Sequence, residues 1–116
     1  MKVIIAGSRT FDNYELLCQK CDRLLSLRPE VEIVSGTAKG ADLLGEQYAR
    51  ERGYPIKQFP ADWNQYGKSA GYKRNQQMAE YADGLIAFWD GKSKGTKHMI
   101  DLARTNNLKV KIVYYE

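Results

Sequence analysis

The sequence is poor in the residues that build metal and redox centres. It has one histidine and two cysteines, Cys18 and Cys21, and no second cysteine pair that would complete a zinc site. The two cysteines lie inside a helical pattern among apolar residues at core spacing, and not at a helix start where a thiol would be activated. We therefore expect no metal, and we interpret the C-x-x-C as part of the core in preference to a redox or zinc motif.

Long apolar runs are also absent. No stretch of the 116 residues approaches the roughly 20 apolar residues that a membrane helix needs. The apolar run at residues 3–6 is too short for a signal peptide, so a cytoplasmic location is expected, without a membrane partner. The length predicts one domain over residues 1–116. The excess of 18 basic over 14 acidic side chains favours an anionic partner, but it does not choose between a nucleotide and a nucleic acid.

Short apolar runs alternate with helical patterns along the whole chain. Right-handed crossovers between such strands predict a three-layer α/β domain, with a five-stranded parallel sheet and helices on both faces. We predict the strand order 3-2-1-4-5, because the glycine-bearing loops then converge at one edge. The predicted strands are residues 2–6, 31–34, 55–59, 84–88 and 109–114, and the predicted helices are residues 12 or 13 to 27, 43–52, 72–81 and about 96–106.

The turn at residues 35–42 lies between the second predicted strand and the second predicted helix. Gly36 and Gly40 let a ligand approach the backbone, and free N–H groups at a helix start favour an anion such as phosphate. Lys39 adds a positive charge and Thr37 adds a hydroxyl. The alternative is a plain strand-to-helix turn without a ligand.

Similar residues follow the first, third and fourth predicted strands. Ligands of parallel α/β sheets bind at the carboxyl ends of the strands, so we expect these loops to form one ligand site. The long segment at residues 60–71 is predicted to be irregular. The candidate ligand-binding residues are Gly7, Ser8, Arg9, Ser35, Gly36, Thr37, Lys39, Gly40, Asp42, Trp63, Lys68, Arg74, Asn75, Asp90, Ser93, Gly95 and Thr96.

Several candidates have an alternative structural role. Arg74 at a helix start is unfavourable unless it faces an anion, which favours a ligand contact. Asp42 either caps the second helix or accepts a ribose hydroxyl, and capping is slightly favoured. Trp63 either stacks on a base or belongs to the core or an interface. His98 is interpreted as a surface or interface residue and not as a catalytic base.

Six motifs in order resemble the YspA-like family of the SLOG superfamily. They are Ala6-Gly7-Ser8-Arg9, Ser35-Gly36-x-Ala38-Lys39-Gly40-Ala41-Asp42, Phe59-Pro60-Ala61-Asp62-Trp63, Gly67-Lys68-x-Ala70-Gly71, Arg74-Asn75 and Gly91-x-Ser93-x-Gly95-Thr96. The resemblance implies a Rossmann-like fold, a nucleotide or nucleotide-derived ligand, and no other cofactor. The superfamily includes the Lonely Guy phosphoribohydrolases, which cleave nucleoside monophosphates, and DprA, which binds single-stranded DNA.

The sequence departs from the Lonely Guy pattern at one important place. Those enzymes carry an acidic pair after Gly-Thr, and this chain has His98 and Met99 in the matching segment. We therefore expect a sensor or binding domain, with a nucleotide N-glycosidase and a DprA-like single-stranded DNA binder as alternatives. If the chain is an enzyme, the candidate catalytic residues are Arg74, Asp42, Asp62 and Asp90.

Resemblance to Lonely Guy dimers also implies a homodimer. Tyr72, Tyr81, Trp89 and the helix around Met78 supply more aromatic and apolar surface than five short strands need. We expect the later helices to form that interface.

Overall fold

The computed structural model describes residues 1–115 as an alternation of strands and helices. A short 3-10 turn, Gly67–Ser69, joins the third helix to the fourth. The elements are β1 (Lys2–Gly7), α1 (Tyr14–Leu25), β2 (Glu32–Ser35), α2 (Ala41–Arg52), β3 (Ile56–Gln58), α3 (Trp63–Tyr66), α4 (Ala70–Tyr81), β4 (Gly84–Trp89), α5 (Lys94–Thr105) and β5 (Lys109–Tyr114).

The five strands form one parallel sheet in the order β3-β2-β1-β4-β5, which confirms the predicted topology. β1 is the central strand, and Ile4 lies between Val34 of β2 and Leu85 of β4. The loops that follow β1 to β4 therefore all lie at the carboxyl edge of the sheet, and the strand order reverses between β1 and β4, where Gly7 pairs with Phe88.

The side chains of β1 alternate between two cores, one on each face of the sheet. Ile5 packs with Leu17 of α1 and Tyr48 of α2 in one core. Ile4 packs with Met78 of α4, in the other core. The helices therefore cover both faces of the sheet, as predicted.

The two cysteines belong to the core on the α1 side. Cys21 is fully buried, Cys18 is half-buried, and both are free thiols. Burial raises the pKa of the Cys21 thiol well above its usual range. Both features suit the predicted structural role.

Helix boundaries follow local capping. Asn13 begins α1 by accepting a hydrogen bond from the Leu16 N–H at 3.0 Å, and Gly53 ends α2 with a left-handed φ of 74°. The segment at residues 60–71 is more ordered than predicted. Asp62 accepts a hydrogen bond from the Gln65 N–H at 3.0 Å and so caps α3. α4 then begins at Ala70, two residues earlier than the sequence pattern indicated.

The aromatic residues expected at a dimer interface are largely used within the chain. Met78 is buried, and Tyr81 packs against Phe59 with ring centroids 5.3 Å apart. The ring centroids of Trp89 and Tyr114 are 5.8 Å apart. Tyr72 is the member of that set that stays about half exposed. The homodimer remains a prediction.

None of the helices within residues 1–115 has the length and apolar character that a membrane crossing requires. The four long helices, α1, α2, α4 and α5, have 12 residues each.

Two helical glycines give opposite predictions for stability. A Cβ at Gly45 in α2 would lie 2.8 Å from Ile5 Cγ2, whereas a Cβ at Gly95 in α5 would meet no other described atom within 4 Å. Gly45→Ala should destabilise the fold by about 1–3 kcal/mol because it forces α2 away from β1. Gly95→Ala should leave stability unchanged or slightly raised. Urea denaturation measures both, and equal stability of the two variants would contradict the close packing of α2 on β1.

Candidate functional site

A cavity of about 260 Å³ opens at the carboxyl ends of the strands. We call it the strand-end cavity. Loops after β1, β2 and β4 and the segment from α3 to α4 contribute to it, so the predicted convergence of these loops is present. Its lining residues are Ala6, Gly7, Arg9, Ala38, Asp42, Trp63, Lys68, Gly71, Tyr72, Arg74, Asn75, Met78, Ser93, Gly95 and Thr96.

A second recess adjoins the strand-end cavity and shares Arg9, Ala38, Trp63 and Arg74 with it. The predicted residues Gly36, Thr37 and Lys39 lie here. The predicted residues Ser8, Ser35, Gly40 and Asp90 line neither space, although each lies in a loop that does.

Ser35 supports the loop after β2 from the inside. Its hydroxyl donates to Glu46 Oε2 at 2.6 Å and accepts from the Thr37 N–H at 3.0 Å. Gln58 Nε2 also donates to Glu46, at 3.0 Å, so this buried carboxylate is hydrogen-bonded on both oxygens. Ser35 therefore has a structural role in this loop, and its ligand contact stays a prediction.

Sequence reasoning gave Glu46 no part in holding this loop. One signal was present: Glu46 follows Asp42 by four residues on α2, and this spacing puts both carboxylates on the same helix face. Both residues are buried.

Thr37 adopts a left-handed conformation with a φ of 62°. This conformation is unfavourable for a β-branched residue and costs about 1–2 kcal/mol relative to ordinary backbone. The hydrogen bond from its N–H to Ser35 helps to stabilise it. Strained loop residues of this kind are typical of ligand sites.

Asp42 does not cap α2, contrary to the slight preference from sequence. Gly40 occupies the N-cap position without a side-chain hydrogen bond, and Asp42 Oδ2 instead accepts from the Ala38 N–H at 3.2 Å. Because the Thr37 and Ala38 N–H groups both have partners within the protein, they are not free to bind a ligand anion.

Burial raises the pKa of Asp42 to about 6, against the opposing effects of the Ala38 N–H, Arg74 and Arg9. The carboxyl is 5% exposed, and within residues 1–115 it forms no salt bridge with either arginine. Of the described carboxylates, Asp42 alone lines the strand-end cavity.

Arg74 joins α4 to the loop after β2. Its Nη1 donates to the Gly36 carbonyl and its Nε donates to Asn75 Oδ1 at 3.0 Å. A Cβ at Gly36 would lie 2.9 Å from Arg74 Nη1 and 2.8 Å from Asp42 Oδ2, so a larger residue there would displace one or both of these side chains. Burial lowers the pKa of Arg74. Arg74 thus has a structural role in addition to lining the cavity.

The start of α5 faces the strand-end cavity at Gly95 and Thr96. The Asp90 carboxylate accepts from the Lys92 and Ser93 N–H groups, each at 2.8 Å, and these bonds lower its pKa. Ser93 then caps the helix, with its Oγ 3.4 Å from the Thr96 N. Asp90 therefore shapes the turn and leaves the helix start open above Gly95.

The side chain of Asn75 also makes polar contacts within the protein. Its Nδ2 donates to the Gly95 carbonyl at 3.4 Å and lies 3.2 Å from His98 Nδ1. His98 packs edge-on against Tyr72, with ring centroids 4.4 Å apart, and burial lowers its pKa. His98 lies outside the lining of the strand-end cavity.

The two carboxylates Asp42 and Asp101 give stability trends of opposite sign with pH. A raised pKa means that the folded chain holds the Asp42 proton more tightly than the unfolded chain does, so protonated Asp42 stabilises the fold. This contribution to the free energy of unfolding is full below about pH 4 and is lost as pH rises through about 6. Asp42→Asn should therefore gain stability relative to the unsubstituted chain between about pH 4 and pH 7.5, by up to about 3 kcal/mol.

The matched control is Asp101→Asn. The side-chain hydrogen bond from Lys97 lowers the pKa of exposed Asp101, so this variant should lose stability relative to the unsubstituted chain as pH rises. Thermal unfolding at several pH values measures both trends. A pH-independent effect of Asp42→Asn would mean that Asp42 stays ionised throughout this range.

Known proteins resemble this chain at the levels of sequence and fold. The YspA, cpYpsA-related SLOG family matches residues 1–66. The Gene 61 protein of Mycobacterium phage D29 is 33% identical over an alignment that covers 94% of this chain and 93% of the phage protein.

A solved structure of DNA processing protein A from Helicobacter pylori has the same fold, with a TM-score of 0.71 at 19% sequence identity. That protein has a single-stranded DNA binding mode. The match covers 100% of this chain and 66% of that one, so the chain spans slightly less than two thirds of the Helicobacter protein. From the family match and the phage relative together, the chain belongs to the YspA, cpYpsA-related SLOG family.

Proposed function

We propose that the chain binds a nucleotide or nucleotide-derived ligand in the strand-end cavity and acts as a binding or sensor domain. One observation carries this proposal. The start of the 12-residue helix α5, three cationic side chains and an exposed tryptophan line the same cavity. A nucleotide combines a phosphate with a flat base, and these groups match the two kinds of lining. The lining cations are Arg9, Lys68 and Arg74.

The phosphate is assigned to the start of α5. The N–H groups of Thr37 and Ala38 are already hydrogen-bonded within the protein, which makes the loop after β2 the weaker anion site. The space above Gly95 is open, and the positive end of the α5 dipole favours an anion there. Arg9 and Lys68, both exposed, can complete the coordination.

The base is assigned to Trp63. Its side chain is 53% exposed and lines both the strand-end cavity and the adjoining recess. An aromatic ring with one free face is suited to stacking on a nucleobase.

The glycosidase alternative depends on a carboxylate close to the sugar. Asp42 lines the cavity, whereas Asp62 caps α3 and Asp90 shapes the turn before α5. Cleavage requires a carboxylate to stabilise the oxocarbenium-like centre or to activate water. The histidine in the Lonely Guy acid position, His98, cannot stabilise that positive charge and lies outside the cavity lining. We therefore propose binding with weak or no release of free base.

Single-stranded DNA is the second candidate ligand. Three exposed aromatic residues, Trp63, Tyr66 and Tyr72, lie on the segment from α3 to α4, and Lys73 Nζ lies 4.9 Å from the Tyr66 ring centroid. Aromatic side chains interleaved with lysines are typical of single-strand binding surfaces. The fold neighbour from Helicobacter pylori binds single-stranded DNA.

Calorimetric titration with the four common nucleoside monophosphates, their nucleosides and a thymidine oligonucleotide distinguishes nucleotide binding from single-stranded DNA binding. Lys68→Ala should weaken monophosphate binding by about tenfold, because it removes one charge-assisted contact, and should leave nucleoside binding unchanged. Lys109→Ala is the control, because Lys109 is exposed at the opposite edge of the sheet.

Other outcomes would point to the alternatives. Equal losses for nucleotide and nucleoside in Lys68→Ala would contradict a phosphate contact. The protein can also be incubated with each nucleotide and the products separated by chromatography. Release of free base that Asp42→Asn abolishes would favour the glycosidase. Oligonucleotide binding without mononucleotide binding would favour the DNA binder.

A further inference from the structure

We propose that Asp42 selects ligands with ribose hydroxyls, so that the strand-end cavity takes ribonucleotides in preference to deoxyribonucleotides. This inference rests on the proposed nucleotide binding and names the class of nucleotide. Asp42 is here a specificity-determining residue that accepts a hydrogen bond from the sugar.

The first argument is the state of the Asp42 carboxyl. The Ala38 N–H holds Oδ2 at 3.2 Å, and no hydrogen bond within residues 1–115 reaches Oδ1. Arg74 Nη1 and Asp42 Oδ2 both lie close to Gly36, each within 3 Å of the position that a Cβ would take there. Within residues 1–115 the Asp42 carboxyl nevertheless forms no salt bridge. Since Asp42 lines the strand-end cavity, this carboxyl oxygen can accept a hydrogen bond from a ligand that donates one.

The second argument is the order of the strands. Trp63 follows β3, Asp42 follows β2, Arg9 follows β1 and Gly95 follows β4. The strands that lead to these positions lie side by side in that same succession, about 4.8 Å apart, and all four residues line the strand-end cavity. A nucleotide with its base on Trp63 and its phosphate over Gly95 therefore has its sugar between them, beside Asp42.

The third argument is chemical. The phosphate of such a ligand is an anion and would be repelled by the Asp42 carboxylate. The ligand therefore binds with its phosphate at the start of α5 and another part beside Asp42. Ribose hydroxyls donate hydrogen bonds and carry no charge. A deoxyribose that lacks the contacting hydroxyl does not form this charge-assisted hydrogen bond, which discriminates against it.

The test compares ribonucleotides with their deoxy analogues on one protein. The tightest binder among the four ribonucleoside monophosphates is titrated beside its 2′-deoxy and 3′-deoxy forms, at constant pH and salt. At least one deoxy form should bind about tenfold or more weakly to the unsubstituted chain. Asp42→Ala should bring the ratio of ribo to deoxy affinity close to one, and Asp42→Asn, whose amide oxygen still accepts, should give an intermediate ratio.

The ratio is measured within each variant, so a general loss of affinity does not mimic the effect. Asp101→Asn, on the exposed face of α5, should leave the ratio unchanged. If Asp42→Ala does not fold, the reduced ratio in Asp42→Asn decides the question. Equal affinities of the unsubstituted chain for ribo and deoxy forms, or a preference that persists undiminished in Asp42→Asn or Asp42→Ala, would overturn this inference alone. Absence of binding by every mononucleotide would overturn the proposed function and this inference with it.

Discussion

The hydrogen bond from the Ala38 N–H to the Asp42 carboxyl determines how the whole ligand edge is organised. It links the loop after β2 to the first turn of α2, so the Ala38 N–H is not free for an anion. The proposed phosphate position therefore lies at another helix start. The start of α5, which faces the same cavity, is the alternative that the fold provides.

The site depends on contacts that connect the two faces of the sheet. α2 packs on one face and α4 on the other, yet Arg74 of α4 reaches over the edge to the Gly36 carbonyl beside Asp42. Since a side chain at Gly36 would clash with both groups, the glycine permits this contact. Beneath it, Ser35 and Glu46 hold the strained backbone of Thr37. The strain is thus stabilised by buried hydrogen bonds, as expected of a preorganised site.

The fold could be predicted from the sequence because it depends on repeated local patterns. Buried β-branched runs such as that of β1 alternate with helices, and the handedness of crossovers restricts the topology. The convergence of Arg9, Asp42, Arg74 and Gly95 on one cavity follows from that topology.

The roles of individual polar residues were harder to predict. Whether Ser35 faces the ligand or the interior depends on the partner that it meets after folding, and that partner is Glu46, 11 residues away. Asp42 was expected to cap its own helix, but the loop before α2 curves back far enough for the Ala38 N–H to reach it. Such choices between local and tertiary hydrogen bonds leave no periodic signal in the sequence.

The measurement that tests the account most directly is a titration of the ¹⁵N-labelled protein with a nucleoside monophosphate, followed by amide chemical shifts. We predict a large shift for the Gly95 amide, at the open helix start, and small shifts for Thr37 and Ala38, whose N–H groups keep their partners within the protein. The opposite pattern, with Thr37 and Ala38 shifting while Gly95 does not, would show that the phosphate displaces Asp42 from its loop and would contradict the account.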